Sequence, residues 1–297
     1  MQRGFPLCQG FGGVPHFFKS PKIGGYRGLK RDLINHISRL IDTHAHLDEI
    51  ENLDKAIAEA RQAGLVAIIA VGQDYESNVK TLDIAEKHKD IVYPALGLHP
   101  WSLGKMDTRE MSLTLRQIED NIRRAIAVGE IGLDYDKRVI ASADKERQKE
   151  AFKSVLELAG RYDKPVSVHA RYSWKDSFDL VKESGVKRAV FHWYTGFSSV
   201  LREIIAEGYF ISATPATEYH DEHRRAVRET PLENLLLETD CPVTYGRETK
   251  YQSRPSDVIR TLRATAPLKG IEEKALAAKT TENALRFFGL SSLLSLK

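Results

Sequence analysis

The stretch LIDTHAHLDEI, residues 40–50, sets two histidines directly after an apolar start. His44 and His46 are two residues apart, and residues at i and i+2 of a β-strand point to the same face. Two imidazoles side by side are a good geometry for holding a metal ion and a poor one for packing a core. The spacing therefore predicts a metal site at the end of a strand.

More histidines and two carboxylates recur near the ends of other apolar runs. His169 and His192 each lie near the end of such a run, Glu130 interrupts AIAVGEIGLDY, and Asp240 follows LLLET. A buried carboxylate without a partner is costly, so a metal explains Glu130 better than a helix cap does. Four histidines and two carboxylates exceed the three protein ligands of a typical catalytic zinc. They match two divalent ions that share a bridging carboxylate, about 3.5–4 Å apart in such sites.

The donor types indicate which metals and which reaction to expect. Imidazole and carboxylate together suit Zn²⁺ or Mn²⁺, and Mg²⁺ is a further candidate. Two such ions lower the pKa of water, so hydrolysis of a phosphoester or an amide-like bond is expected. Arg171 carries a guanidinium that matches phosphate oxygens, and His99 in GLHP is positioned to reach the same anion. The alternative for Arg171 is a surface ion pair, and Asp134 is either a partner of a ligating histidine or a helix cap.

These residues need a scaffold that brings distant strand ends together. From Leu40 onward, β-branched apolar runs alternate with amphipathic stretches, a rhythm typical of βα units around a parallel sheet. Eight such units favour a single-domain (β/α)₈ TIM barrel, whose active site lies at the carboxyl ends of its strands. A doubly wound open sheet is less favoured, because the first strand does not lead into a glycine-rich phosphate turn.

The predicted strands and helices follow in chain order. The strands are Leu40–Leu47, Leu65–Gly72, Ile91–Leu98, Ala125–Leu133, Pro165–His169, Arg188–Trp193, Tyr209–Ala213 and Asn234–Thr239. The helices are Asn52–Ala63, Asn78–Lys87, Leu113–Arg124, Lys145–Arg161, Trp174–Glu183, Ser198–Glu207 and Asp221–Glu229, with two closing helices within 256–288.

Charge and composition divide the chain of 297 residues into a tail and a folded body. Residues 1–40 hold seven Lys or Arg and one acid, a net charge of +6, so the remainder nets −3 of the overall +3. Residues 1–39 are predicted to be a basic, disordered or loosely packed tail, and residues 40–297 to form the barrel. The basic charge therefore does not indicate that the body binds nucleic acid tightly.

Two cysteines far apart in sequence favour a reducing, cytoplasmic setting. We expect no membrane association, because no run approaches the roughly 18 apolar residues of a membrane span and the N-terminus lacks a secretory signal. The sequence indicates no obligate protein partner.

Six motifs, taken in order, resemble those of the TatD-type metal-dependent hydrolases over roughly residues 40–290. They are DTHAHLD (42–48), GLHP (97–100), GEIGLDY (129–135), HAR (169–171), FHWYTG (191–196) and ETDCP (238–242). The resemblance implies an amidohydrolase-like (β/α)₈ barrel, two divalent metal ions and, often, deoxyribonuclease activity.

The resemblance also implies a role for each matching residue. His44, His46 and Asp240 would bind the first metal, His169 and His192 the second, and Glu130 would bridge the two. Asp240 would also accept a proton from the attacking water, so Asp240 and Glu130 are the catalytic candidates. His99 and Arg171 would face the scissile phosphate of the substrate.

The segment after Asp240 departs from the family pattern. It lacks the Arg-Asn-Glu-Pro that many members carry there, and Arg254, Pro255 and Asp257 are the candidates to fill that place. Substrate identity is therefore the least determined property. The leading hypothesis is a deoxyribonuclease acting on DNA ends, preferably single-stranded. The alternatives are a hydrolase of another phosphate-containing or ester substrate, such as a small phosphoester, a lactone or an aminoacyl-RNA ester, and a non-catalytic scaffold.

Overall fold

The structure, a computed structural model, describes residues 39–290 and contains one eight-stranded parallel sheet in which each strand pairs with the next along the chain. A short antiparallel hairpin follows the last strand of this sheet. The strands are β1 Leu40–Ala45, β2 Leu65–Val71, β3 Val92–Leu98, β4 Ala127–Asp134, β5 Val166–Arg171, β6 Ala189–Phe191, β7 Phe210–Ala213, β8 Leu235–Leu237, and the hairpin strands β9 Thr244–Tyr245 and β10 Tyr251–Gln252.

Helices separate the strands and cover the outside of the sheet. The α-helices are α1 Leu53–Gln62, α2 Tyr75–Lys87, α3 Pro100–Leu103, α4 Thr108–Asn121, α5 Lys137–Ile140, α6 Lys145–Arg161, α7 Trp174–Ser184, α8 Ser198–Ala206, α9 Asp221–Glu229, α10 Val258–Lys269 and α11 Glu273–Phe288. Short 3₁₀ helices occur at Leu47–Glu49, Pro215–Glu218, Leu232–Asn234 and Pro255–Asp257. No helix within residues 39–290 combines the length and apolarity needed to cross a membrane.

The first strand meets the chain that follows the last strand, and this contact closes the barrel. The amide of His46 donates to the carbonyl of Cys241 at 2.8 Å, and the amide of Asp240 donates to the carbonyl of His44 at 2.9 Å. The (β/α)₈ fold is therefore confirmed, and the open doubly wound sheet is wrong. The predictions for residues 1–38 lie outside the described residues, as do residues 291–297.

Two apolar layers hold the barrel together. The larger layer packs the outward faces of the strands against the helices, as Ile68 and Ile57 do. The smaller fills the barrel interior near the amino ends of the strands, with Ile41 and Ile69 among its members, and Phe287 at the end of α11 closes that end. The opposite, carboxyl end of the barrel is left for polar side chains.

Irregular register in two strands turns the polar residues inward. Strict alternation from the inward Ile41 would point residues 43 and 45 into the barrel, but the β1–β2 register shifts between Asp42 and Ala45. Pairing of β4 with β5 shifts in the same way between Val128 and Ile131. Bulges of this kind re-aim side chains beside active sites. They bring His44 and Glu130 to the inner face.

Candidate metal centre

Glu130 lies at the centre of a buried group of imidazoles at the carboxyl end of the barrel. Its Oε2 atom is 3.4 Å from Nε2 of His44 and 3.4 Å from Nε2 of His46. Its Oε1 atom is 2.7 Å from Nε2 of His192 and 2.8 Å from Nδ1 of His169. The two oxygens of one carboxylate thus face two different pairs of histidines, which is the arrangement expected of a bridging group.

Asp240 lies beside the first pair of histidines. Its Oδ1 atom is 3.3 Å from Nε2 of His46 and 3.6 Å from Nε2 of His44. Asp240 follows the end of β8 by three residues, and its positive φ of 50° turns the chain there. The hydrogen bond from its amide to His44 fixes this turn against β1. Barrel closure therefore also positions this carboxylate.

The candidate ligand atoms fall into three compact groups. In each group, one ligand atom from every residue lies within 4.8 Å of the others. The groups are His44 with His46 and Glu130, His44 with His192 and Asp240, and His99 with Glu130 and His169. The overlap through Glu130 and His44 makes the cluster continuous, so the six predicted ligands are brought together in one place.

The orientation of His44 tests whether a cation fits this cluster. Nδ1 of His44 lies 3.0 Å from the hydroxyl oxygen of Ser167, which can accept a hydrogen bond from an Nδ1–H group. In that tautomer Nε2 presents a lone pair, and this buried atom has no hydrogen-bond partner. A lone pair facing two carboxylates is unfavourable unless a positive charge lies between them. The nitrogen and oxygen donors therefore fit a divalent cation.

The electrostatics of the cluster support the same interpretation. Burial alone would raise the pKa of Glu130, but the adjacent imidazoles hold it well below its ordinary value, so the carboxylate is ionised. Burial lowers the pKa of His46, yet the carboxylates of Asp240 and Glu130 outweigh burial and raise it to about 10. The cluster therefore attracts positive charge strongly.

Asp134 supports His169 from the far side of its ring. Its Oδ2 atom lies 3.1 Å from Nε2 of His169 and accepts a hydrogen bond of 2.6 Å from the indole of Trp101. Burial would raise the pKa of Asp134, but the hydrogen bonds with His169 and Trp101 lower it to about 2. The short helix α5 is capped by Asp136 instead. Of the two roles considered for Asp134, the structure therefore favours the partner of a histidine.

Sequence reasoning missed two further supporting residues. Glu238 is buried, and its Oε1 atom lies 3.5 Å from Nδ1 of His192. Ser167 contacts His44 across the barrel. Ser167 precedes the candidate ligand His169 by two residues within β5, so the two share a strand face. Glu238 directly follows β8 and lies two residues before the candidate ligand Asp240. That spacing is the signal that could have revealed them.

His99 is oriented as a hydrogen-bond donor. Its Nδ1 accepts the backbone N–H of Trp101 at 3.1 Å, so the ring proton belongs on Nε2. Nε2 lies 3.3 Å from Oε1 of Glu130. Burial lowers the pKa of His99 to about 4, so the ring is neutral. A nitrogen that carries a proton cannot bind a metal, which separates His99 from the candidate ligands despite its position.

Arg171 and all the candidate ligands except His44 line one cavity of about 1150 Å³. One guanidinium nitrogen of Arg171 lies 2.9 Å from Asp136, so this residue both faces the cavity and forms an ion pair. Arg254 does not line the cavity, because its guanidinium pairs with Glu59 on α1 at 3.1 Å. The residues shortly after Asp240 that line the cavity are Pro242 and Val243.

Comparison with known proteins gives consistent matches over almost the whole described region. The family model for TatD related DNase matches residues 41–289. Human deoxyribonuclease TATDN3 is 32% identical over 259 residues, which cover 84% of this chain and 94% of that protein. The 3'-5' ssDNA/RNA exonuclease TatD of Erwinia tasmaniensis is 30% identical over 247 residues, covering 80% of this chain and 93% of that protein.

A solved structure agrees with these matches. The crystal structure of YJJV, a TatD homologue from Escherichia coli, superposes with a TM-score of 0.76 and 29% sequence identity. The superposition covers 85% of this chain and 99% of that chain.

Proposed function

The chain belongs to the TatD-related DNase family, and we propose that it is a metal-dependent hydrolase that cleaves phosphodiester bonds at the ends of DNA strands. The names of the human deoxyribonuclease and of the bacterial exonuclease support a nucleic-acid substrate. The buried groups of histidine and carboxylate support the use of divalent metal ions. The substrate, the number of ions and the residue roles given below are parts of this proposal.

The observation that carries the proposal is that the two oxygens of Glu130 face two different pairs of histidines. We propose that two ions bind there and that Glu130 contacts both. His44, His46 and Asp240 would hold the first ion, and His169 and His192 the second. The imidazole-rich donor set suits Zn²⁺ or Mn²⁺, with Mg²⁺ as the third candidate.

The chain's own residues position the substrate and move the proton. When bound, divalent ions lower the pKa of water and polarise phosphoryl oxygens. Asp240, 3.3 Å from His46, would accept the proton of the attacking water. The Nε2–H group of His99 would donate to a phosphate oxygen. Arg171 would release Asp136 and bind the same phosphate through its guanidinium.

The shape of the site and the charge of the body favour strand ends. The candidate ligands lie at the bottom of a cavity formed by the loops of a closed barrel, which admits a chain end more readily than the middle of a duplex. Residues 41–297 carry a net charge of −3. Since affinity for duplex DNA scales with the phosphates that a protein neutralises, tight binding along a duplex is not expected.

The proposal is tested by incubating the purified protein with end-labelled single- and double-stranded oligonucleotides under Zn²⁺, Mn²⁺ and Mg²⁺ in turn. We expect metal-dependent shortening from an end, faster on single strands, and loss of activity with a chelator. Intact oligonucleotides under every metal, together with turnover of small ester or lactone substrates, would instead identify a hydrolase of another bond.

We also propose where the activity lies in the chain and in the cell. The family match begins at residue 41, which supports residues 40–297 as the catalytic unit and the preceding basic segment as an appendage. A cytoplasmic location is proposed because the two cysteines are far apart in sequence and Cys241 is a free, buried thiol.

A further inference from the structure

Three aromatic side chains form a continuous row that starts in the lining of the cavity, at Tyr172 and Trp174, and ends outside the lining at Phe197. Tyr172 is 58% exposed and Phe197 is 66% exposed, and both contact the ring of Trp174. The ring centroids are 5.9 Å apart for Tyr172 and Trp174 and 5.2 Å apart for Trp174 and Phe197. Contiguous apolar surface left open to water marks a binding site more often than isolated exposed residues do. We call this row the aromatic shelf.

The local backbone holds the aromatic shelf in place. Tyr172 directly follows β5 with a positive φ of 56°, a conformation that bulky residues rarely adopt. Trp174 begins α7, and Gly196 packs so closely against its indole that a Cβ at position 196 would clash. The hydroxyl of Tyr194 donates to the carbonyl of Phe197 at 3.0 Å. Close packing and hydrogen bonding therefore fix the backbone that carries the exposed rings.

The aromatic shelf is continuous with the candidate metal centre. Tyr172 and Trp174 line the same cavity as Glu130 and Arg171. The guanidinium of Arg171 lies over the ring of Tyr172, 5.5 Å from its centroid. The guanidinium of Arg171, which can bind a phosphate, thus lies next to the ring of Tyr172, on which a base can stack. Phosphate and base alternate in the same way along a single strand of nucleic acid.

The charge of the body offers little long-range attraction for a nucleic-acid strand. Residues 41–297 net −3, so attraction to phosphates alone is weak. Stacking of bases on aromatic side chains is the other general source of affinity for single strands, and it tolerates any sequence because every base has a π-face. Bases within a duplex are already stacked and paired, so they cannot use the shelf.

We propose that the aromatic shelf binds one or two unpaired nucleobases while the neighbouring phosphodiester enters the metal cavity. This inference rests on the proposed nuclease function and deepens it, because it assigns the selection of single-stranded ends to Tyr172, Trp174 and Phe197. The occupant is single-stranded nucleic acid, recognised through its bases rather than its charge.

The test compares an ordinary single-stranded oligonucleotide with one of the same length that carries abasic sites at its terminal nucleotides. Wild-type protein is expected to show a KM for the abasic strand about 5- to 150-fold higher, as loss of one stacked base implies. Tyr172→Ala and Phe197→Ala are each expected to bring the ratio of the two KM values towards one, with kcat changing less than KM. Tyr172→Phe keeps the ring and should restore the ratio.

Leu113→Ala removes an exposed apolar side chain that lies outside the cavity lining, and it serves as the matched control. The same variants are also titrated with both labelled strands in the presence of a chelator, where only binding is measured. If the wild type cleaves DNA but the KM ratio is unaffected by the alanine variants, the shelf is wrong and the nuclease stands. If nothing is cleaved, the binding titration decides. Tighter binding of the ordinary strand by the wild type, lost in the alanine variants, still supports the shelf. Equal binding of both strands by the wild type refutes it.

Discussion

Substituting Glu238 by glutamine isolates the negative charge that faces His192 from the far side of its ring. Oε1 of Glu238 lies 3.5 Å from Nδ1 of His192 and accepts the backbone N–H of Trp193 at 3.1 Å. Glutamine has nearly the same shape and keeps an oxygen that can accept this N–H. The change therefore removes a charge while largely preserving the packing around it.

The expected effect follows from these distances. Loss of a group that orients a metal-binding histidine typically costs about 10- to 100-fold in metal affinity or activity. The separation of 3.5 Å exceeds the length of a good charge-assisted hydrogen bond, so we expect about tenfold, or about 1.4 kcal/mol. Stability should change little, because the hydroxyl of Ser212 also lies 3.2 Å from the amide of Trp193.

The assay is a metal titration in competition with a chelator, combined with thermal unfolding. Glu222→Gln is the control for the same change of charge, since Glu222 lines the cavity but faces His220 rather than the cluster. We expect weaker binding of one ion in Glu238→Gln and unchanged affinity in Glu222→Gln. Wild-type affinity in a normally folded Glu238→Gln protein would show that Glu238 does not tune His192.

Other parts of the site and fold lead to further expectations. Asp240→Asn should cut kcat at least 100-fold if Asp240 accepts the proton of water; unchanged turnover in a metal-loaded variant would dismiss that role. Arg171→Ala should raise KM for oligonucleotides about 10-fold, because a charge-assisted phosphate contact is lost; steady-state kinetics with an unaltered KM would remove Arg171 from the substrate site.

The buried His223 sits between the carbonyl of Tyr194 and the amide of Thr214, and burial lowers its pKa to about 4. The unfolded chain takes up this proton near the ordinary pKa of 6.5, so the folded state should lose about 3 kcal/mol as the pH falls from 6.5 to 4. Denaturant unfolding measures this loss, and a slope that persists in His223→Gln would assign it to other groups.

The barrel was predictable because its strands carry their own signal. All eight predicted strands overlap observed ones, since β-branched apolar runs buried on both faces differ clearly from amphipathic helices. The predicted starts of α2 and α4, Asn78 and Leu113, lie after the observed starts at Tyr75 and Thr108. Both helices begin after an aspartate whose side chain accepts the amide three residues on, Asp74 for Ser77 and Asp107 for Glu110. Those capping boxes were readable in the sequence.

The candidate site was only partly predictable, because its contacts join distant parts of the chain. The periodicity of the sequence predicted that the histidines lie at the strand ends. It did not predict which nitrogen of each imidazole ring faces inward. Ser167 meets His44 from 123 residues away, and the donor role of His99 depends on the backbone of Trp101. The pairing of Arg171 with Asp136 is likewise a property of the folded loops.

The most direct test of the account is the number of metal ions on either side of Glu130. Crystals grown with Mn²⁺ or Zn²⁺ and measured at the absorption edge of that metal would locate each ion independently of the protein model. We expect two anomalous peaks about 3.5–4 Å apart, with one carboxylate oxygen of Glu130 directed at each. A single peak at full occupancy under both metals, or two peaks with Glu130 bound to neither, would contradict the account.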